Sequence, residues 1–396
     1  MKKLFSMITM LALIVILSAC GEKEEVIKFA VQEDSTDALN TLVEEFNKKD
    51  NGYKVEIVKM TNDSAQMRDQ IVTSLSSKSD EYDVISMDVV WAGQFAAAGY
   101  LEPLDPLMTE ENWSASDFNA GSMASGKYSG KHYAMPYFPD LGFLYYRTDI
   151  VSDTDATKLK SGNYTWDELL TMAETYKGQE NTEYGIVYQS KQYEGLVCNL
   201  NEFSANWTDV QGGLETMKAF TDSTATPDNI LTYTEGETHN AFNSGKTVFA
   251  RNWPYMNGMI AEGDKDVSSD QVGYAPLPNG GTVGGWLVGI SKYTDVSDGA
   301  KAFVKFLAGP EGQKINATVG GYLPGYNDLL NDQDVKDANA LLTDEGFQNA
   351  LKNTIARPVV AEYADVSDEI QINAHKYLSG DETLVNAKNA IETALD

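Results

Sequence analysis

Three apolar segments near the amino terminus decide the fold: Val26-Ile27-Lys28-Phe29-Ala30-Val31, then residues 53–60, then residues 82–87. Residues 37–49 and 64–78, which lie between these segments, carry apolar side chains at the three- and four-residue spacing of amphipathic helices. Nearly continuous apolar strands that alternate with helices are typical of a parallel sheet covered by helices. The sequence therefore predicts an α/β fold.

The second half of the chain repeats the alternation of helices and strands. Thr165-Trp166-Asp167-Glu168 is a capping box that opens a helix, with Trp166 as a packing residue. Phe242 ends a further helix, Gly245 is its left-handed stop, and residues 247–250 form a short buried strand. Residues 133–147 contain two prolines, which favour a stiff, extended passage between two α/β lobes.

The composition excludes several kinds of partner and chemistry. The chain has 396 residues, enough for two domains, and its 59 acidic and 30 basic residues give a net charge of −29. Such a surface repels nucleic acid and argues against acidic ligands. His132, His239 and His375 lie far apart and lack the spacing of metal ligands, so we expect no metal, no cofactor and no His-dependent catalysis.

The first residues predict export. Lys2 and Lys3 precede an apolar run, residues 4–17, which is too short to span a bilayer. Leu17-Ser18-Ala19-Cys20-Gly21 resembles the bacterial lipobox, in which the cysteine is lipidated after cleavage. We therefore expect residues 1–19 to be a lipoprotein signal peptide and residues 20–25 a lipidated tether. The mature chain would then be anchored at the extracellular face of the cell membrane.

Polar residues follow the three predicted strands, at the sheet edge where α/β proteins bind ligands. Glu33 and Asp34 follow the first strand, Arg68 lies beyond the second, and Asp88 to Trp91 follow the third. Carboxylates and an arginine at one crevice would orient the hydroxyl groups of a sugar. The alternatives are that Asp34 caps a helix and that Arg68 is a solvated helix residue.

Aromatic residues provide the second part of the predicted site. Trp253 and Tyr255 follow a buried strand, and Trp286 stands among glycines that would let the backbone approach a ligand. Flat rings beside hydrogen-bonding groups suit a sugar, which has C–H faces to stack and hydroxyls to satisfy. Tyr137 and Asp140 lie on the predicted passage between the lobes. The alternative for each of these aromatic residues is an ordinary place in the core.

The chain resembles the family 1 extracellular solute-binding proteins, the maltose-binding-like receptors of ABC importers. The resemblance rests on the order and spacing of motifs such as Asp88-x-x-Trp91, Phe242-x-x-Gly245-Lys246 and Gly284-Gly285-Trp286. It implies a periplasmic-binding-protein-like fold, with two α/β lobes that close by hinge motion around a ligand cleft. The expected lobes are residues 26–135 with about 288–335, and residues 136–287 with about 336–396.

Within that family the pattern looks most like the trehalose/maltose-binding branch. The expected ligand-binding residues are Glu33, Arg68, Asp88, Trp91, Tyr137, Asp140, Trp253, Tyr255, Gly285, Trp286 and Arg357.

The resulting functional expectation is a monomeric, lipid-anchored receptor. It would capture a disaccharide or short oligosaccharide and deliver it to the transmembrane subunits of an ABC permease, without breaking a bond. Two alternatives remain open from the residues alone. One is a glycosidase in which Asp88 and Asp140 act as acid and base. The other is a receptor for a polyamine or a peptide.

Overall fold

The computed structural model describes residues 24–358 and 362–396. The predicted signal peptide, the lipidation site at Cys20 and residues 20–23 of the predicted tether lie outside the described residues. Within the part of the chain that the structure describes, no helix combines the length and the apolar character required to cross a bilayer.

The described chain alternates helices and strands from end to end. The strands are β1 (Glu25–Gln32), β2 (Tyr53–Met60), β3 (Val84–Asp88), β4 (Lys127–Tyr128), β5 (Lys131–His132), β6 (Ala134–Leu141), β7 (Phe143–Arg147), β8 (Tyr184–Val187), β9 (Thr247–Asn252), β10 (Val272–Ala275), β11 (Gly281–Ile290) and β12 (Thr354–Ile355). The α-helices are α1 (Ala38–Asn47), α2 (Ser64–Ser76), α3 (Ala92–Ala97), α4 (Asp105–Glu110), α5 (Ala120–Ser125), α6 (Asp153–Ser161), α7 (Trp166–Tyr176), α8 (Glu194–Phe203), α9 (Val210–Asp222), α10 (Glu235–Asn243), α11 (Tyr255–Ala261), α12 (Ser297–Ala308), α13 (Pro310–Val319), α14 (Gln333–Ala338), α15 (Glu345–Lys352), α16 (Tyr363–Ser379) and α17 (Leu384–Leu395).

Two separate sheets confirm the predicted two-lobed α/β fold. The larger sheet has the order β12-β11-β3-β1-β2, with β6 also paired to β11, and the smaller sheet has the order β10-β7-β9-β8. Strand β1 is parallel to β2 and β3, as the first β-α-β-α-β segment predicts, whereas β11 runs antiparallel to both β3 and β6. The larger sheet is therefore mixed, and so is the smaller one, in which β8 is parallel to β9 while β7 runs antiparallel to β9 and β10. In the larger sheet the antiparallel pairings come from β11. The length of β11 is not evident from the sequence, because its glycines weaken the strand signal.

Local sequence signals account for the positions of the helix ends. The capping box of Thr165 and Glu168 is present, and Trp166 packs on Phe203 with ring centroids 4.1 Å apart, which is the packing role predicted for it. Gly245 adopts φ +70 after α10, as expected of a left-handed stop. Strand β9 extends beyond the predicted Ala250 to include Arg251 and Asn252, both of which are buried.

The chain passes between the two sheets at Gly142, which joins β6 to β7, and again between β10 and β11. Helix α15 contacts β10 of the smaller sheet, whereas β12, which follows it, pairs with β11 of the larger sheet. The predicted division instead cuts through β6 at residues 135/136 and through β11 at residues 287/288. The chain therefore changes sheet at Gly142 and between β10 and β11, and not at the predicted boundaries. The reason is that β6 and β11 pair along most of their length, so they remain in one sheet.

Candidate functional site

A cavity of about 490 Å³ lies between the two sheets, at the carboxyl ends of β1, β2 and β3. Glu33 and Asp34 after β1, Asn62 after β2 and Asp88 at the end of β3 all line it. This is the edge at which parallel strands present ligand-binding groups. A volume of several hundred cubic ångströms is typical of sites for small molecules.

Two tryptophans from different parts of the chain line this cavity. Trp286 belongs to β11, opposite Asp88 of β3 in the register of the larger sheet. Behind it lies the buried Trp91, with ring centroids 5.5 Å apart and an edge-to-face geometry. Trp91 therefore supports Trp286 from the core and does not line the cavity, unlike the ligand contact predicted for it.

Trp253 enters the cavity from the smaller sheet, one residue beyond β9. The Cζ atom of Arg251 lies 4.0 Å from the centroid of its ring, and its indole Nε1 donates to Glu235 Oε1 at 3.2 Å. The ring is thus fixed both by a stacked cation and by a hydrogen bond at its edge. Trp253 and Trp286, the two indoles predicted to stack on a sugar, therefore line the same cavity.

Tyr255 forms part of the same wall, at the first turn of α11. Its hydroxyl lies 2.9 Å from Nδ1 of the buried His239. Burial lowers the pKa of His239 to about 4, and burial also raises the pKa of Tyr255 well above its usual range. Near neutral pH the tyrosine therefore keeps its proton and His239 is uncharged, and the hydrogen bond between them holds the phenol ring in place.

Carboxylates and one arginine cross the floor of the cavity. Arg357 donates to both oxygens of Asp88, at 3.0 and 2.6 Å, and to Glu194 Oε1 at 2.9 Å. Burial raises the pKa of Glu194, while the charge of Arg357 opposes that change. The predicted residues Asp88 and Arg357 therefore meet at the cavity, but much of their hydrogen-bonding capacity is used on each other.

Asp140 carries no such partner among the described residues. It lines the cavity from β6 and one carboxylate oxygen accepts from the backbone N–H of Leu141 at 2.9 Å. Burial raises its pKa well above the usual range, because the nearby Arg251 charge only partly compensates. Its second oxygen has no hydrogen-bond partner among the described residues and can therefore bond to a ligand hydroxyl.

The residues after β1 divide between two roles. Glu33 lies at the rim of the cavity, where it forms an ion pair with Lys59 and stays half exposed. Asp34 accepts from the backbone N–H of Leu39 in α1 at 3.0 Å and from the hydroxyl of Tyr322 at 2.7 Å. Asp34 therefore binds an N–H of the first turn of α1, which is close to the helix-capping alternative, although the N-cap residue is Asp37 and the side chain of Asp34 also borders the cavity.

Two further predicted contacts lie outside the cavity. Arg68 donates to Gln94 Oε1 at 3.3 Å and 3.2 Å on the outer side of α2, and it also pairs with Asp69. Tyr137 points to the opposite face of β6 from the cavity-lining Phe138 and packs edge-on against Phe29. Alternation along β6 explains this second correction, since neighbouring strand residues point to opposite faces. Of the predicted set, the cavity-lining members are Glu33, Asp88, Asp140, Trp253, Tyr255, Gly285, Trp286 and Arg357.

Several cavity residues escaped the sequence reasoning. Glu194 and Glu235 begin helices α8 and α10, and both reach into the cavity. Phe138 and Tyr322 stack with ring centroids 4.2 Å apart on another part of the lining. The available signal for the glutamates was their place at the start of a helix, but acidic residues at helix starts on the surface give the same signal.

Two α/β lobes with a polar and aromatic cavity between them define the class of ligand-binding proteins that close around a small molecule. Comparison with known proteins agrees: residues 32–314 match the model of the family described as bacterial extracellular solute-binding protein. The chain belongs to this family. As in its relatives, the role is that of a substrate-binding component of an ABC transporter and not of an enzyme, so the glycosidase alternative is set aside.

The relatives include a probable ABC transporter-binding protein of Deinococcus radiodurans, which is 30% identical over 84% of this chain and 83% of its own length. A maltotriose-binding protein of Pyrococcus abyssi is 26% identical over 68% of this chain and 59% of its own length. The solved structure of maltose-bound T. maritima MalE3 superposes with a TM-score of 0.83 at 28% identity, covering 93% of this chain and 98% of that one. A solute-binding protein of Agrobacterium vitis with bound D-mannitol has a TM-score of 0.79 at 18% identity, which shows the shared fold.

Proposed function

We propose that this protein binds an uncharged disaccharide or short oligosaccharide of the maltose/trehalose type and delivers it to an ABC permease. The observation that carries the proposal is the joint presence of Trp253 and Trp286 in one cavity, beside the carboxylate of Asp140. Indole faces stack on the C–H faces of pyranose rings, while carboxylates accept from their hydroxyls. The maltotriose named for one relative and the maltose bound in one similar structure support the same ligand class.

The charges of the cavity support a neutral ligand over an anionic one. Each buried arginine near the cavity already has a carboxylate partner: Arg251 pairs with Glu202, and Arg357 pairs with Asp88 and Glu194. An anion would have to displace a buried counter-ion, which costs several kcal/mol. Charged hydrogen bonds from ligand hydroxyls to a carboxylate contribute about 1.5–3 kcal/mol each.

Isothermal titration calorimetry tests the proposal. Maltose, maltotriose, trehalose and sucrose are titrated into the purified chain from which residues 1–23 have been removed. We expect saturable one-site binding of at least one of these sugars, together with a rise in thermal midpoint that follows from preferential binding to the native state. Absence of both effects at millimolar sugar would contradict the proposal.

A polyamine is the second candidate ligand, and the carboxylates of the cavity favour it. Glu33, Asp140 and Glu235 line the cavity along with Asp88 and Glu194, so acidic groups outnumber basic ones there. Spermidine is therefore included in the titration. Binding of spermidine that weakens steeply with added salt, with no sugar response, would favour this alternative, because screening acts on charge pairs and hardly on stacking.

We also propose that the chain is a lipoprotein anchored through Cys20 at the extracellular face of the membrane. The support is the sequence Leu17-Ser18-Ala19-Cys20-Gly21 behind a short apolar run. Full-length chain expressed in a bacterial host should incorporate an alkyne analogue of palmitate. Cys20→Ser should lose the label and release the protein from the membrane, whereas Cys198→Ser should keep both.

A further inference from the structure

The ring of Trp253 is held from behind by a buried arginine. Arg251 is 2% exposed, does not line the cavity, and stacks its guanidinium over the indole at 4.0 Å. The cavity therefore meets the remaining surface of the ring, whose Nε1 edge is bound to Glu235. A tryptophan fixed in this way loses little rotamer freedom when a ligand stacks on it, because the ring is already ordered.

Arg251 is itself fixed by a fully buried carboxylate. Its Nε donates to Glu202 Oε2 at 2.9 Å, its Nη2 to Glu202 Oε1 at 2.5 Å, and its Nη1 to Gln189 Oε1 at 3.1 Å. Burial opposes the charge of Arg251, but the Glu202 carboxylate outweighs burial and raises the pKa of Arg251. The planar fork of an arginine makes this bidentate contact and the stacking at the same time, which lysine cannot do.

The same ion pair contacts two of the chain passages between the lobes. Glu202 Oε1 accepts from the backbone N–H of Thr282 in β11 at 2.9 Å. At Gly142, where β6 gives way to β7, a Cβ atom would overlap both Arg251 Nη2 and Glu202 Oε1. The neighbouring Asn201 donates to the carbonyl oxygen of Ala356, one residue beyond β12, at 3.0 Å. One turn of α8 thus joins the passages at Gly142 and at the start of β11 to the back of Trp253.

From this arrangement we infer that Arg251 and Glu202 are positioning residues for ligand binding, which set the orientation of Trp253 relative to the passages at Gly142 and Thr282. The inference rests on the proposed function in that Trp253 is taken to stack on the sugar. Neither residue touches the cavity, so each acts through Trp253. Loss of the stacked guanidinium would leave the indole free to tilt, and the ligand would then have to order it on binding.

A double-mutant cycle tests this action through Trp253. Arg251→Lys keeps the charge beside Glu202 but removes the stacking plane, and we expect it to weaken binding of maltotriose by about 10-fold, or about 1.4 kcal/mol. In a Trp253→Ala background the same change should alter the dissociation constant by less than about 2-fold, since contacting residues are energetically coupled. Equal factors in the two backgrounds would overturn the inference.

Arg147→Lys is the matched control. Arg147 lies on β7 of the same sheet and forms a bidentate ion pair with the partly exposed Asp149, 2.7 Å from Nε to Oδ1, and neither residue lines the cavity. It should leave maltotriose affinity unchanged. A loss of affinity equal to that of Arg251→Lys would mean that any strain in this sheet weakens binding, and the positioning role would be rejected.

A measurement without ligand separates this inference from the proposed function. The protein is labelled with 5-fluorotryptophan, and the ¹⁹F resonances of Trp253 and Trp286 are assigned by Trp→Phe substitution at each position. Arg251→Lys, and Glu202→Gln as a second variant, should shift or broaden the Trp253 resonance while that of Trp286 stays in place. If no sugar binds the wild-type chain, the proposed function fails while this spectrum still reports on positioning. An unchanged Trp253 resonance would refute the role of Arg251.

Discussion

Arg357 and Asp88 form a bidentate ion pair across the floor of the cavity, with Nη1–Oδ2 and Nη2–Oδ1 distances of 3.0 and 2.6 Å. Asp88 ends a strand of the larger sheet, and Glu194, the other acceptor of Arg357, begins α8 beside the smaller sheet. Glu194 also accepts from Ser367 at 2.6 Å and from the hydroxyl of Tyr363. The cluster therefore joins parts of both lobes, and its one guanidinium is shared by two carboxylates before any ligand arrives.

Asp88→Asn should destabilise the fold because it removes one of the two counter-ions of a buried guanidinium. We expect a loss of up to about 3 kcal/mol in the free energy of unfolding, the lower end for breaking a buried pair, since Glu194 remains. Urea unfolding followed by circular dichroism measures it. Glu45→Gln, which breaks the exposed pair with Lys48, is the control and should leave the midpoint in place. Equal midpoints for both variants would contradict the structural role of the cluster.

Trp286→Ala should weaken sugar binding by about 10-fold or more, since it removes one stacking face of the cavity. Calorimetric titration with maltotriose measures the change in affinity. Trp113→Ala removes another half-buried indole, which packs edge-on against Phe118 away from the cavity lining. It should lower thermal stability and leave the affinity unchanged. Wild-type affinity in Trp286→Ala would show that the ligand lies elsewhere.

Stability should fall as the pH is lowered from about 6.5 to about 4, in part because of His239. Its pKa is about 4 in the folded chain and 6.5 in the reference state, so the unfolded chain binds the proton first. A shift of this size corresponds to at most about 3 kcal/mol, fully lost below the folded pKa. Glu237 opposes the shift and Lys265 adds to it.

Urea unfolding at several pH values checks this expectation, with His239→Gln compared against wild type. The variant should show a shallower decline between pH 6.5 and 4, because its amide replaces the hydrogen bond to Tyr255 but does not titrate. His132→Gln, at the half-buried pair with Asp105, is the control. Parallel curves for wild type and His239→Gln would remove His239 as the cause.

Gly142→Ala should lower the free energy of unfolding, although it adds only one methyl group. A Cβ atom there would overlap the Arg251–Glu202 ion pair, and overpacking of this kind costs about 1–3 kcal/mol. Gly93→Ala in α3 is the opposite case, because nothing lies within 4 Å of the added atom and alanine favours a helix by about 1 kcal/mol. Thermal melts of the two variants should therefore move in opposite directions. A neutral Gly142→Ala would show that the ion pair has room to shift.

Much of this protein could be predicted from periodicity and local chemistry. The first three strands, the helices between them and the capping box at Thr165 follow from short-range patterns, and the edge where the carboxylates gather follows from the direction of parallel strands. The length of β11 could not be predicted in the same way, because its glycines weaken the strand signal while its partners β3 and β6 are distant in the chain.

The sequence by itself determined which residue types reach the cavity: indoles beyond β9 and within β11, and carboxylates at strand ends. Only the tertiary structure decided what each of them contacts. It placed Trp91 behind Trp286, turned Tyr137 away from the cavity, and paired Arg357 with Asp88 across 269 residues of chain. The physical reason is that strand and helix patterns depend on neighbours a few residues apart, whereas the partner of a buried charge or ring is set by how two sheets pack.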